Sequence, residues 1–177
     1  MAGHNKWSKI KHKKAVTDAR RSKVFTKLVR LIQVEAKKAG GDREAPGLRT
    51  AIEKARKENM PNDNIDRAIK KASEVSSDVK PVMFEAYGPA GVGILITGLT
   101  DNNNRTSAEV KHALTKMGGS FGAPGSVSWN FTLNQQDGIW TPNTTVDISE
   151  EDGEKLMRIV EALLDLDDTQ DVFTSAL

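Results

Sequence analysis

The hydrophobic period of this chain changes once, close to residue 80. Before that point apolar residues recur every three or four positions; after it they alternate or run together in short blocks. The first pattern belongs to helices and the second to strands, so an α+β chain is required and an all-helical or all-strand fold is excluded. From Ser22, "SKVFTKLVRLIQVEAKKAGG" sets Phe25, Leu28, Ile32, Ala36 and Ala39 on one helical stripe, which Val24 and Leu31 widen. Gly40-Gly41 supplies the left-handed residue that stops it. Pro46 suits the first position of a second helix, with Leu48, Ile52 and Ala55 inward and Arg49, Lys54, Arg56 and Lys57 largely outward. Pro61 breaks that helix, and Asn62 or Asp63 is expected to cap a third one carrying Ile65, Ala68, Ile69 and Ala72. Three apolar stripes predict a three-helix bundle domain over residues 22–75, preceded by a basic N-terminal arm over 1–21. The polar stretch "SEVSSDVKP", residues 73–81, reads as the linker.

Beyond the linker, "VMFEAYGPAGVGILITGLT" reads as strand, turn and strand, with "GPAG" as the turn and Ile94, Leu95 and Ile96 as a buried run. Thr106-Ser-Ala-Glu109 has the spacing of a capping box, and the helix behind it carries Val110, Ala113, Leu114 and Met117 up to Gly118-Gly119. "GSVSWNFTL" reads as a strand, Asp137-Gly138 as a hairpin turn, and "GIWTPNTTVDI" as a partner strand that Pro142 weakens. Ser149 is expected to cap a last helix on Leu156, Ile159, Val160 and Leu163, and "DVFTSAL" closes as a strand. Antiparallel strands with two helices on one face predict a ferredoxin-like α+β sandwich with a mostly antiparallel sheet over residues 82–177.

The net charge of +2 conceals a division. Residues 1–80 hold 21 Lys/Arg against 10 Asp/Glu, whereas residues 81–177 hold 5 against 14. Such a split points to a polyanion-facing half and a solubilising or partner-facing half, with a chance polarity between two domains as the plain alternative. Positive charge is densest in "GHNKWSKIKHKK", residues 3–14, where His4, Lys6, Lys9, Lys11, His12, Lys13 and Lys14 surround Trp7. Lysines neutralise phosphates and release counterions. An indole adds stacking on an unpaired base. Trp7 folded back as an anchor for the arm is the other reading, and it leaves the charge without a purpose. Arg20 and Arg21, then Lys23, Lys27 and Arg30 on the outward side of the first long helix, extend the same cationic surface.

Several chemistries are excluded or disfavoured. The chain has no cysteine, which removes disulfides, thiolate metal sites and a cysteine nucleophile, and fits a cytoplasmic setting. No apolar run approaches a membrane span, and no secretory signal is readable at the start of the sequence. The apolar stripes of the basic helices are narrow, rich in alanine and needed for bundle packing, which argues against a lipid surface. "GPAGVG" lacks the Lys-Ser/Thr ending of a phosphate loop and opens a strand, so it reads as a turn. His4, His12 and His112 have no partner pattern for catalysis or metal. "DLDDTQD", with Asp165, Asp167 and Asp168, lacks the glycine and final glutamate of a calcium loop. "TDNNNRT", residues 100–106, lies between a strand end and a helix N-terminus, where Arg105 can reach a phosphate and Asn102, Asn103 and Asn104 can hydrogen-bond to a base edge or a backbone carbonyl; an Asx turn capping its own helix is the bland alternative. No enzyme, metal or cofactor is expected, and no long apolar seam demands a dimer, so a monomer is expected.

"MAGHNKWSKIKHKKAVTDARRSKVFTKL", "LRTAIEKARKENMPNDNIDRAIKKA", "YGPAGVGILITGLTDNNNRT" and "GGSFGAPGSVSWNF" stand in the order in which the YebC/PmpR family has such segments. The chain resembles that family, which includes mitochondrial translational activators, almost continuously over residues 1–131, and "LLDLDDTQDVFT" resembles its usual ending. The resemblance implies a helical N-terminal domain joined to α/β domains. It also implies a departure: the small inserted domain of the family is here replaced by a short hairpin around 132–148, so the chain looks like a shortened member. Members are described as DNA-binding transcriptional regulators and as factors that act on the ribosome at proline-rich stretches. The resemblance therefore implies a non-enzymatic regulator of gene expression whose partner is DNA or ribosomal RNA, and possible contact with the ribosome. A flexible lysine arm with one tryptophan suits irregular RNA. Duplex DNA is reachable through phosphate contacts with little sequence reading.

Overall fold

The computed structural model describes residues 18–75 and 78–177; the arm residues His4 to Lys14 lie outside these. The described residues divide into two compact units, one reaching up to residue 80 and joined by 135–138, the other formed by 81–134 and 139–177.

The first unit contains α1 (Asp18–Lys38), α2 (Pro46–Lys57) and α3 (Asn62–Lys70), followed by a 3-10 turn at Lys71–Glu74. Leu28, Ile32 and Ala36 of α1 pack with Leu48, Ala51, Ile52 and Ala55 of α2 and with Ile65 and Ala68 of α3. Burying each larger member of that set removes it from water for about 1.5–3 kcal/mol. Helix α1 starts four residues before Ser22, so Asp18 to Arg21 are helical. It ends where expected: Gly40 has φ of +59°, and the Gly41 N–H donates to the Ala36 carbonyl at 2.9 Å. Helix α3 differs at its start. Pro61 occupies the cap position with φ of −59°, and neither Asn62 nor Asp63 caps by its side chain. Proline already holds the φ a helix entry needs, and its carbonyl accepts the N–H groups of Asn64 and Ile65.

The second unit is built on β1 (Lys80–Tyr87), β2 (Gly93–Thr100), α4 (Asn103–Met117), β3 (Ser120–Phe121), β4 (Phe131–Asn134), β5 (Ile139–Pro142), α5 (Glu150–Leu164) and β6 (Thr169–Thr174). Four strands form one sheet in the order β3-β1-β2-β6, its central pair joined by a short 3-10 turn at Pro89–Gly91. β3 runs antiparallel to β1 and β6 antiparallel to β2, with Ile94 opposite Thr174, Leu95 opposite Phe173 and Ile96 opposite Val172. Helices α4 and α5 pack on each other and on one sheet face, where Ala86, Ile94, Ile96 and Val172 meet Val110, Leu114, Leu156, Ile159 and Leu163. This is the layered α+β sandwich the sequence predicts.

The other sheet face is also covered. Leu95, fully buried, packs with Val127 and Phe131 against Tyr87, Trp140 and Phe173. Burial on both faces explains why Ile94, Leu95 and Ile96 are apolar without alternation. The cover comes from the loop after β3 and from the β4–β5 hairpin, which pairs Phe131 with Pro142 and Leu133 with Trp140. Only the last three residues of "GSVSWNFTL" are strand, as the start of β4; the preceding residues form turns and a 3-10 segment at Ser128–Asn130. The cause is Glu85. Its carboxylate accepts the N–H groups of Gly125 (2.6 Å), Val127 and Ser128 (2.7 Å), donors that a strand would have spent on a neighbour.

Candidate nucleic-acid interface

On α1 the candidate cations divide by position. Arg20 and Arg21 are exposed in its first turn, while Lys23, Lys27 and Arg30 are half-buried along its side. Arg21 also lines a shallow groove of about 520 Å3 with Ser22, Phe25, Thr26 and Val29. A cation beside a part-exposed aromatic ring is a pairing that suits a phosphate with its neighbouring base. Nearer the helix C-terminus the positive charge is spent internally. Lys37 Nζ donates to the Val75 carbonyl at 2.6 Å, and Lys38 pairs with Glu35 at 2.7 Å.

Further cations are read from sequence as largely outward without being placed in the candidate set. Of these, Arg49, Arg56 and Lys57 are exposed on α2 and Lys54 is half-buried. Lys70, which the sequence reading does not single out, is exposed at the end of α3. Arg43 and Arg67 differ, because Arg43 pairs with Asp66 and Arg67 Nη2 donates to Asn64 Oδ1 at 2.6 Å.

The segment 100–106 serves its own fold. Asn102 is the cap of α4, its Oδ1 accepting the Arg105 N–H at 3.1 Å, so the helix begins before the Thr106–Glu109 box expected from sequence. Thr106 lies inside that helix, with its hydroxyl 2.6 Å from Asp168 Oδ2 and 2.8 Å from Thr100 Oγ1. Arg105 was expected to reach an external anion. Instead one guanidinium nitrogen, Nη2, donates to Asp101 at 2.9 Å and to Asp168 at 2.8 Å. Hydrogen bonds to Asp168 and then Asp101 raise its already high pKa, so it stays cationic in every accessible condition. Asp168, whose side chain is only 5% exposed, thereby gathers Arg105, Thr100 and Thr106 on one oxygen. Asn104 is exposed in the first turn of α4.

Glu85 is the other buried carboxylate with a clear task. Burial by itself would raise its pKa, but the amides of Gly125, Ser128 and Val127 and the Ser128 hydroxyl more than offset that, and the pKa is lowered. Nothing in the sequence of β1 marked it, because its partners lie some forty positions away. Among the described residues no group of three or more His, Cys, Asp or Glu side chains is arranged to hold a metal ion, and no helix is long and apolar enough to cross a membrane.

Comparison with known proteins agrees with this architecture. The model of the TACO1/YebC protein N-terminal domain matches residues 5–75, and that of the TACO1/YebC second and third domain matches residues 79–136 and 132–176. A protein of Trichlorobacter lovleyi named "Probable transcriptional regulatory protein" is 45% identical over 177 residues, covering 98% of this chain and 70% of that one. A protein of Finegoldia magna with the same name is 55% identical over 134 residues, 74% of this chain and 56% of its own length. The chain thus spans little more than half of some curated relatives it matches. Alignment with a Desulfatibacillum aliphaticivorans relative, at 37% identity, extends over 237 positions against the 177 residues present here. Among solved structures, a conserved hypothetical protein from Aquifex aeolicus superposes with a TM-score of 0.80 at 33% identity, covering 97% of this chain and 96% of that one.

Proposed function

The chain belongs to the TACO1/YebC family, and from that membership together with its charge distribution we propose that it is a non-enzymatic, nucleic-acid-binding regulator of gene expression, of the DNA-binding transcriptional type, working in the cytoplasm. The observation that carries the reading is the lopsided placement of charge: 21 of the 26 Lys/Arg lie in residues 1–80. The proposed grip consists of His4, Lys6, Trp7, Lys9, Lys11, His12, Lys13 and Lys14 in the arm and Arg20, Arg21, Lys23, Lys27 and Arg30 on α1. Asn104 is a candidate for a peripheral contact, while Arg105 is drawn toward Asp101 and Asp168 and belongs at most to the rim of the interface. Relatives named as transcriptional regulators support the same reading.

Phosphate binding by cations has a thermodynamic signature in its salt dependence. Each phosphate contact to duplex DNA contributes about 0.9 to the slope of log affinity against log salt concentration. Replacing Lys9, Lys11, Lys13, Lys14, Arg20 and Arg21 with glutamine should flatten that slope by several units and weaken binding most at low salt. The measurement is a fluorescence-anisotropy titration with a duplex oligonucleotide, a single-stranded RNA and purified ribosomes, each over a range of salt concentrations. Loss confined to the duplex supports transcriptional regulation, and loss confined to RNA or ribosomes moves the action to translation. Unchanged affinity and slope for all three would sink the proposal.

A further inference from the structure

The apolar stripe of α1 is longer than the helices packed on it. Its 21 residues make it about 31 Å long, against about 18 Å for the 12 of α2 and about 14 Å for the 9 of α3. Leu28, Ile32 and Ala36 are buried, whereas Phe25 and Val29 on the same stripe are only half-buried. No residue from 20 to 27 is buried. Along that uncovered end runs the groove of about 520 Å3 formed by Arg21, Ser22, Phe25, Thr26 and Val29.

Two occupants suit a groove with an aromatic floor, a nucleotide or an apolar piece of chain, and the helical wheel separates them. At about 100° per residue, Lys23, Lys27 and Arg30 stand about 140–160° round α1 from Phe25. A nucleic-acid strand gripped by those three cations runs along the other side of the helix. Of the five Lys/Arg between residues 20 and 30, only Arg21 lines the groove. The groove is the open end of a hydrophobic stripe, and it calls for an apolar cover.

The chain just ahead of α1 carries such a cover. Between residues 3 and 15 the only large apolar side chains are Trp7 and Ile10, three positions apart. Residues 11–17 span at most about 25 Å, and Val29, at the far end of the groove, lies about 17 Å along the axis from Asp18. Both side chains are therefore within reach. Seated on Phe25 and Val29, the indole leaves water, and Arg21 at the rim can stack on its face. The arm's lysines beside Arg20 and Arg21 oppose the docking by like charge, an opposition that salt relieves.

We propose that the segment before α1 folds back and seats Trp7, with Ile10 beside it, in the groove at Phe25 and Val29. The indole then serves the cationic grip by holding the arm's lysines against α1, and not by stacking on a base. This deepens the nucleic-acid reading without resting on it, because the docking needs no nucleic acid.

The test is fluorine-19 NMR of the full chain labelled with 5-fluorotryptophan. Three signals arise, from Trp7, Trp129 and Trp140, and single Trp→Phe variants assign them. The shift of each signal on exchanging light for heavy water reads its contact with solvent. Trp129, 73% exposed, and half-buried Trp140 bracket the scale. Both lie in residues 117–154, which contain no Lys or Arg and so place no cation beside either indole along the chain. Trp7 should shift less than Trp129, and still do so in about 1 M salt, where charges are screened within about 3 Å. Phe25→Ala should raise the Trp7 shift to that of Trp129 and leave the other two signals in place. So should Thr26→Lys, which fills the groove from an exposed position outside the bundle core. Circular-dichroism melting identifies the folded variants, and Thr26→Lys decides the matter if Phe25→Ala is unfolded. A Trp7 as solvent-responsive as Trp129 in the unaltered chain overturns the proposal, as does a protected Trp7 that neither groove variant releases. Loss of nucleic-acid binding with Trp7 still seated would fault the grip and leave the docking standing.

Discussion

Two buried carboxylates carry different loads, and each can be weighed alone. Glu85 holds a loop through backbone amides, and its pKa is lowered from the ordinary value of 4.5. A depressed folded value means that the stabilisation is complete above the unfolded value and is lost as pH falls through the folded one. Glu85→Gln should cost about 1–3 kcal/mol at neutral pH, because a neutral amide leaves N–H groups poorly matched. In urea unfolding the gap between wild type and this variant should be constant at neutral pH and shrink below about pH 4.5; a gap that stays constant into acid would contradict the assignment. Asp168 binds a guanidinium and two hydroxyls from a buried position, whereas Asp101, 49% exposed, meets only the same guanidinium in water. Asp168→Asn should therefore lower the melting temperature clearly more than Asp101→Asn, as read by differential scanning calorimetry. Neither role was legible in advance. Glu85 and Asp168 sit in ordinary local sequences, and what gives them work is a partner brought near by the topology.

At the level of elements, local physics spoke plainly where an element is amphipathic and poorly where it is not. The stripes of α1, α2 and α3, the Gly40 stop and the Ser149 cap depend on neighbours within one or two turns. Ser149 Oγ accepts the Asp152 N–H at 3.1 Å, as its position in the sequence predicts. Helix α4 began early because two candidate caps compete within five residues, and the loser, Thr106, is claimed by Asp168. "GSVSW" has the composition of a strand and becomes a loop because distant Glu85 takes its amides. Leu95 illustrates the opposite case, where an unbroken apolar run correctly implied cover on both faces. Leu95→Ala should empty space between sheet and hairpin and cost about 2–5 kcal/mol, measured as a shift in the urea midpoint at unchanged slope. A cost below about 1 kcal/mol would mean that this second core contributes little.

For the whole chain, the charge division was the most accessible functional signal, since counting charges requires no coordinates. Sequence placed Lys23, Lys27 and Arg30 on the first long helix and Arg20 and Arg21 just before it, whereas α1 carries all five. It could not tell that Arg105, written in the same alphabet, has carboxylate partners from Asp101 and Asp168. Nor could it separate Trp129 from a core tryptophan, because exposure is a property of how the loop is pinned. The glutamine series on the arm and α1 tests the cationic half as a unit, with loss of salt sensitivity as its readout.

The stretch 117–154 without lysine has a practical corollary. Reagents that acylate side-chain amines find no target there, so immobilising or tagging the protein through its lysines leaves the indole-bearing loop chemically untouched and open to molecules in solution.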